Sequence, residues 1–502
     1  MVLGFKIRKN ISLLILFGLG LAYFVSRLTN LLTFPVFTDE AIYLRWSQIM
    51  WHDAAQRFLP LSDGKTPLFM WIGIVIMRFF DDPVLAGRLI SVFAGLASMI
   101  GIFMVSNALF QKKWLGLVGS FLYIVIPFTL TYDRMALAEA LLLSLEILTL
   151  YFAIILARSR RLDIAIFAGI LWGAAILAKP PAFLFGVFFP LSLLIMPNWK
   201  NSLVAIVPKW IVTGIFAAAM FGILFLSPGV GAIFSRSGDY AFTKTEIIQN
   251  GLTYPFFNSK QMTEWLVNYL SWPLAALALL GVVLGILKRR KVTLILLANF
   301  LIIFASQAIT GKVVYPRYLL IMMPFLILFI VLAFEGIGYK FKLKSWQAAL
   351  LLLVMSIAAL NFDRVLLFNP TQTPFVRIDK GQYLSFWSSG QGIKEVSDFI
   401  KDKSKNGKVY VASEGYFGNP LNGLQIYLDN DPDVEVLVLS QPTPDKIRSL
   451  PKDFAGKEVY FVVNLSRWQF PDKNVPIDLI KTFPKIPFEG EQNSLLLYKV
   501  RT

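Results

Sequence analysis

Two adjacent carboxylates, Asp39 and Glu40, stand in Phe37-Thr38-Asp39-Glu40-Ala41-Ile42-Tyr43, just beyond the first apolar run of bilayer length. An acid there can cap a helix by meeting the free amides of its first turn, for about 0.3–1 kcal/mol when exposed. Capping accounts for one acid more readily than for two, and ionisable groups at membrane depth usually serve function. The pair therefore points to acid–base chemistry at a membrane surface.

Further charges lie in outward-facing turns. Lys65 sits in Asp63-Gly64-Lys65-Thr66-Pro67, where it either snorkels to headgroups or ligates a phosphate. Arg134 and Glu139 share Tyr132-Asp133-Arg134-Met135-Ala136-Leu137-Ala138-Glu139. Glu139 either pairs with Arg134 or Arg88 to hold helices together or acts on a ligand. Glu146, on the same helical face, reads as structural. Arg88, inside a membrane span, needs a partner on either reading. Lys179 occupies the turn Ala178-Lys179-Pro180-Pro181, and Lys312, Arg317 and Tyr318 fall in Gly311-Lys312-Val313-Val314-Tyr315-Pro316-Arg317-Tyr318. A solvated, aromatic-belted helix end is the bland account of that last group. Cations are scarce in outer loops, so Lys65, Arg134, Lys179, Lys312 and Arg317 on one face make an anionic ligand the economical explanation. His52 is the only histidine, which excludes a zinc site of several histidines.

The elements that carry these residues follow from composition. The chain has 502 residues, 56% hydrophobic, with no cysteine, so thiolate catalysis, thiolate metal sites and disulfides are excluded. Apolar runs of about 20 residues indicate an α-helical polytopic membrane protein. The net charge of +17 does not imply nucleic acid: from Pro370 onward 17 Lys and Arg face 16 Asp and Glu, so the excess belongs to the membrane part. There it sets orientation and meets anionic lipid.

Eleven spans are expected: Ile11–Leu32, Pro83–Phe110, Trp114–Leu130, Met135–Ala157, Asp163–Lys179, Pro181–Met196, Leu203–Leu226, Trp265–Leu287, Val292–Ile309, Tyr318–Phe334 and Trp346–Leu367. Alternate loops then carry Lys112-Lys113, Arg158/Arg160/Arg161, Lys200, Lys288-Arg289-Arg290-Lys291 and Lys340/Lys342/Lys344, on the side of Lys6, Arg8 and Lys9. That side is expected to be cytoplasmic, with the C-terminal tail outside. Within the first outer loop (33–82), Ala41–Phe58 and Pro67–Phe80 read as interfacial helices, and Ser227–Glu264 reads as a mobile outer flap. We therefore expect a membrane domain over 1–369 and a small extracytoplasmic α/β domain over 370–502. Its expected strands are Lys408–Ser413, Val434–Ser440, Glu458–Leu465 and Ser494–Val500, with helices Gly392–Lys403 and Leu421–Leu428. It contains no phosphate-cradling glycine loop.

These motifs, in order, resemble the GT-C glycosyltransferases that use polyprenyl-phosphate sugars, in particular the aminoarabinose lipid A transferases and protein O-mannosyltransferases. The resemblance rests on Thr38-Asp39-Glu40-Ala41-x-Tyr43, Lys65-Thr66-Pro67-Leu68-Phe69-x-Trp71, Ala86-Gly87-Arg88-Leu89, Arg134-Met135-Ala136-Leu137-Ala138-Glu139, Ala178-Lys179-Pro180 and Lys312…Arg317-Tyr318. It runs over about Lys6–Phe334. The sequence departs from the family at three places. Gly64 stands where the family often has a metal-holding acid, Glu139 where an aspartate is usual, and Pro180 where a glycine is usual.

The resemblance implies transfer of a sugar from a polyprenyl phosphate in the outer leaflet to a hydroxyl of a lipid, glycan or protein acceptor. Asp39 would be the general base, a role contributing ~10²–10⁴-fold, with Glu40 and Glu139 orienting the reactants. Lys65, Arg88, Arg134, Lys179, Lys312, Arg317 and Tyr318 would hold the donor phosphate. A divalent cation, if used, would sit on Asp39 and Asp63. One base with direct attack implies inversion at the anomeric carbon. The competing reading is a lipid-linked-sugar flippase or carrier without transferase activity. The nearly uncharged cytoplasmic halves of the spans favour surface chemistry over passage.

Overall fold

The computed structural model describes residues 9–196, 199–468 and 475–501, so Lys6 and Arg8 lie outside the described residues. The chain forms two compact units. One comprises Met1–Thr29, Phe58–Phe69 and Arg88–Phe368; the other comprises Asn30–Arg57, Met70–Gly87 and Asn369–Thr502. The sequence reading puts the whole first outer loop with the membrane part. The contacts instead assign 30–57 and 70–87 to the unit that contains the C-terminal sheet.

The first unit is a helical bundle, and the chain is a multi-pass membrane protein. Among the described residues seven helices are long and apolar enough to cross a bilayer, or eight with the bent pair Lys113–Val125 and Pro127–Asp133. The eleven expected spans lie largely on helix, but the count of eleven is not confirmed. Leu162–Ala178 and Pro180–Leu193 are short apolar helices, and Trp272–Thr310 contains two expected spans joined at a kink at Arg289. The expected span Trp265–Leu287 is corrected: Ser271, at φ 69°, separates Thr253–Leu270 from the next helix. The first helix ends at Leu28 rather than Leu32, with Asn30 left-handed at φ 51°. The 64° bend in the pair follows from Pro127, whose missing N–H and ring end the preceding helix. The expected flap 227–264 is a chain of short helical turns, including Gly231–Ser235 and Lys244–Asn250.

Pro316–Lys340 is the central element, with 94% of its apolar window buried. In lipid, helices associate through close packing, which small residues permit. At Gly281 a Cβ would fall 1.7 Å from the Phe329 carbonyl oxygen, so only glycine allows Trp272–Thr310 to lie against the central helix. Gly281→Val should therefore cost about 1–3 kcal/mol through overpacking, read as a lowered melting temperature of the purified protein. At one end of the bundle Glu335 binds Lys112 at 2.8 Å and Arg289 at 2.7 Å. Two basic loops that the sequence places on one side of the membrane thus meet on a single carboxylate.

The second unit contains a five-stranded sheet of order β2-β1-β3-β5-β4. The strands are β1 (Val409–Glu414), β2 (Val434–Leu439), β3 (Glu458–Asn464), β4 (Ile477–Pro484) and β5 (Ser494–Val500). The first three are parallel, and β5 runs antiparallel to β3 and β4. Ala412, Val459, Phe461, Val463, Ile447, Leu450 and Leu496 form its core. Four strands and two helices match the sequence reading within a residue or two. Strand β4 and helix Pro444–Asp453 were not expected.

In the same unit Phe34, Phe37, Phe375 and Tyr383 pack edge to face. The helix Thr38–His52 starts there and is tied to the C-terminal part by Gln48, which donates to the Ile426 carbonyl, and by Arg45 and His52, which both bind Asp429. A cavity of about 280 Å³ opens beside Trp51, Phe80, Tyr427 and Asp429. The carboxylate of Asp429 is committed to Arg45 and His52, and that of Asp431 to Ser404 and the Asp433 amide.

Candidate active site

Three charges from three separate turns meet in the first unit. Glu139 lies in the first turn of Ala138–Ser159, where the helix dipole favours an acid, and Lys179 caps the C-terminal end of Leu162–Ala178, where it favours a cation. The Lys179 ammonium lies 2.7 Å from Glu139 Oε1, and Arg317 Nε lies 3.5 Å from the same atom. Pro316 opens the short helix that presents Arg317, and the guanidinium sits 4.6 Å from the Tyr315 ring and 5.3 Å from the Tyr318 ring. The Lys179 ammonium lies 4.5 Å from the Tyr318 ring centre. Glu139 and Arg317 are buried, and Glu139 Oε2 has no hydrogen-bond partner among the described residues. One carboxylate thus meets two cations in a largely desolvated place.

Lys65 stands in a second cluster of the same unit. Its ammonium is 3.1 Å from Asp63 Oδ2, while Asp63 Oδ1 takes Arg236. Gly64 between them is left-handed at φ 68°, which favours glycine at that position. Tyr240 joins the two clusters electrostatically: burial lifts its hydroxyl above the usual tyrosine value, Lys65 pulls it down, and Asp63 and Tyr318 push it up. Lys312 turns to the neighbouring helical turn, 3.2 Å from Glu246.

Other expected residues have different surroundings. Arg134 Nη1 donates to the carbonyls of Ser26, Arg27 and Thr29, at 3.1, 2.7 and 2.7 Å, so it closes the end of the first helix. Its Nη1 is thus drawn to a helix end whose carbonyls lack partners. Glu139 pairs with Lys179 and Arg317. Arg88 is fully buried within Pro83–Phe110, inside the electrostatic reach of Arg134.

Asp39 and Glu40 belong to the second unit. Glu40 is buried and Glu40 Oε2 accepts from the Phe37 amide at 2.9 Å, so it caps its own helix. Asp39, beside it, is half-buried. Among the described residues no three or more His, Asp or Glu side chains gather to hold a metal. Asp63, the acid expected to join Asp39 on a cation, has both oxygens on Lys65 and Arg236. A cation on Asp63 would have to displace Lys65 or Arg236.

Sequence reasoning missed one buried network outright. Asp133 Oδ2 accepts from Arg27 Nε at 3.1 Å and from Tyr23 at 3.2 Å, and Oδ1 accepts from Tyr123 at 3.0 Å. It also missed Tyr240 and Arg236, whose loop carried no motif. Tyr315 was visible only as part of the Lys312–Tyr318 stretch.

A bundle of membrane helices holding a buried cluster of charges beside tyrosine rings, joined in one chain to a small mixed sheet, defines the class of this protein: a GT-C-like membrane fold. The comparisons agree with it. A family model described as dolichyl-phosphate-mannose-protein mannosyltransferase matches residues 64–225, the segment that holds Lys65, Arg88, Arg134, Glu139 and Lys179. ArnT from Cupriavidus metallidurans in the apo state matches with a TM-score of 0.63 at 12% identity, over 97% of this chain and 98% of that one. The same protein bound to undecaprenyl phosphate matches at 0.58 and 14%, over 98% of each chain. The archaeal oligosaccharyltransferase AglB from Archaeoglobus fulgidus, in complex with an inhibitory peptide and a dolichol-phosphate, matches at 0.53 and 11%, over 90% of this chain and 69% of that one. A search of curated proteins by sequence finds no match. The resemblance drawn from the motifs is borne out, and the chain is similar in fold to these proteins.

Proposed function

We propose that this protein is a membrane glycosyltransferase that moves a sugar from a polyprenyl phosphate to an acceptor hydroxyl at the extracytoplasmic face. The observation that carries the reading is the meeting of Lys179 and Arg317 on Glu139, three residues whose turns the sequence assigns to one side of the membrane. The family-model match and the ArnT-like fold support it.

In this reading Glu139 holds the two cations apart and aligned until the donor phosphate arrives. The phosphate then binds to both cations, with Tyr315 and Tyr318 beside it and Lys65 approaching from the Tyr240 side. These cations stabilise the charge that develops on the phosphate as the glycosidic bond breaks. Asp39 accepts the acceptor's proton as general base, an assignment that comes from the sequence motif. Glu40 is left to its capping duty. One base and direct attack give inversion.

The test uses undecaprenyl phosphate as probe. A hydrogen bond to a charged group contributes about 1.5–3 kcal/mol, so Lys179→Ala and Arg317→Ala should each weaken binding by about 10–150-fold. Lys65→Ala should weaken it in the same direction. Wild-type affinity in all three variants overturns the phosphate site. Transport of labelled undecaprenyl-phosphate mannose across vesicles with no transfer product would favour a carrier instead.

A further inference from the structure

The residue before Asp39 is held by an unusual convergence of hydrogen bonds, all within the second unit. The Thr38 amide donates to the Ser388 carbonyl at 3.0 Å, and Thr38 Oγ1 donates to the same oxygen at 3.1 Å. Asn419 Nδ2 donates to that carbonyl at 2.9 Å and to the Val36 carbonyl at 3.0 Å, and the Asn419 amide donates to Thr38 Oγ1 at 3.4 Å. Phe37 and Ser389 form an isolated antiparallel bridge. Gly390 lets the two segments touch, since a Cβ there would lie 2.3 Å from the Val36 carbonyl oxygen.

The strap that carries Ser388 is anchored in turn. Lys485 is 2% exposed, and its ammonium donates to the Ser389 carbonyl at 2.8 Å, the Phe386 carbonyl at 3.0 Å and Asn464 Oδ1 at 2.6 Å. All three ammonium protons are thereby used. Asn464 Nδ2 donates to Glu414 Oε1 at 2.7 Å, and Arg467 lies 3.6 Å from Glu414. Glu414 ends β1 and Asn464 ends β3, the two parallel strands between which the connection reverses direction. Open sheets usually bind a ligand at such a point. Here the chain's own strap is fastened there.

We propose that Thr38, Asn419 and Lys485 are positioning residues for sugar transfer, linking the carboxyl edge of the C-terminal sheet to the first helical turn that carries Asp39. The inference rests on the assignment of Asp39 as base and adds a function for the C-terminal residues: they set the base's place. A displacement of about 1 Å can cost 10²-fold in rate, so the effect falls on turnover rather than on donor affinity.

The experiment compares Thr38→Val, Thr38→Ser and Lys485→Met in the full-length protein in lipid nanodiscs. Thr38→Val removes the hydroxyl at nearly constant shape, whereas Thr38→Ser keeps it. Hydrogen–deuterium exchange of amides 38–44 should quicken at least tenfold in Thr38→Val and Lys485→Met, with the Met323–Lys340 helix unchanged. With undecaprenyl-phosphate mannose as donor and envelope extract as acceptor, turnover at saturating donor should fall about 10–100-fold while the Kd for undecaprenyl phosphate holds. Thr38→Ser should restore both readouts. Wild-type exchange in both damaging variants overturns the proposal, and so does quickened exchange with full turnover. Asp39→Asn, run beside them, separates the layers. If it retains full turnover, the base assignment falls and this inference with it. If it is inactive while Thr38→Val runs at full rate, this inference falls alone.

Discussion

Asp39→Asn is expected to reduce sugar transfer by ~10²–10⁴-fold, the usual worth of a positioned general base. The substitution keeps size and hydrogen-bonding capacity but removes the ability to take a proton. Affinity for undecaprenyl phosphate should stay at the wild-type value, because the residues proposed to bind the phosphate, Lys179, Arg317 and Lys65, belong to the other compact unit. Melting temperature should also hold, since the helix start is secured by Glu40 on the Phe37 amide and by Thr38 on Ser388. Transfer is read by mass spectrometry of envelope lipids, glycans and proteins, and nuclear magnetic resonance of the product gives the anomeric configuration. A variant with near-normal turnover removes the base assignment. A retained anomer points to a covalent intermediate instead.

The largest stability effect is expected at Asp133. Its carboxylate is fully buried against Arg27, Tyr23 and Tyr123, and Gly95 makes room for it, since a Cβ there would lie 2.2 Å from the Tyr23 hydroxyl. Arg27 is itself fully buried and donates to the carbonyls of Tyr123 and Ile124. Asp133→Leu strips that guanidinium of the carboxylate it is hydrogen-bonded to, a loss of about 3–5 kcal/mol. Thermal unfolding in detergent should show a large drop. The double variant Arg27→Met with Asp133→Leu should recover most of it, because apolar replacement of a buried pair is often neutral or stabilising. A single variant that melts with the wild type means that the pair is not coupled to folding.

The charged half of the site was legible because each residue stands alone. Glu139, Lys179 and Arg317 are isolated charges in apolar surroundings, and loop alternation assigned their turns to a common side. Their pairing on one carboxylate was not legible, since Arg134 lies nearer to Glu139 in sequence. Arg134 goes instead to helix-end carbonyls more than 100 residues earlier. Arg27 and Asp133 were missed for the same reason: the partners lie 106 residues apart.

In the sheet, β1 and β3 were found because buried parallel strands read as continuous apolar runs. Strand β4 is an exposed edge with a bulge, and its alternation is interrupted between Leu479 and Lys481. Helix Pro444–Asp453 carries an internal proline at Pro451 and five charges, which hide its period. The strap on Thr38 spans 350 residues of sequence, a distance that no local pattern encodes.

The order in which the chain is made gives the interleaved arrangement of the two units a temporal consequence. Arg45 must wait for Asp429, 384 residues later. At about 5–20 residues per second the ribosome needs roughly 20–80 s to supply it. Through that interval the segment bearing Asp39 lacks its lasting neighbours. A nascent protein of this kind acquires its chemistry only at the close of synthesis, and is inert throughout its own insertion.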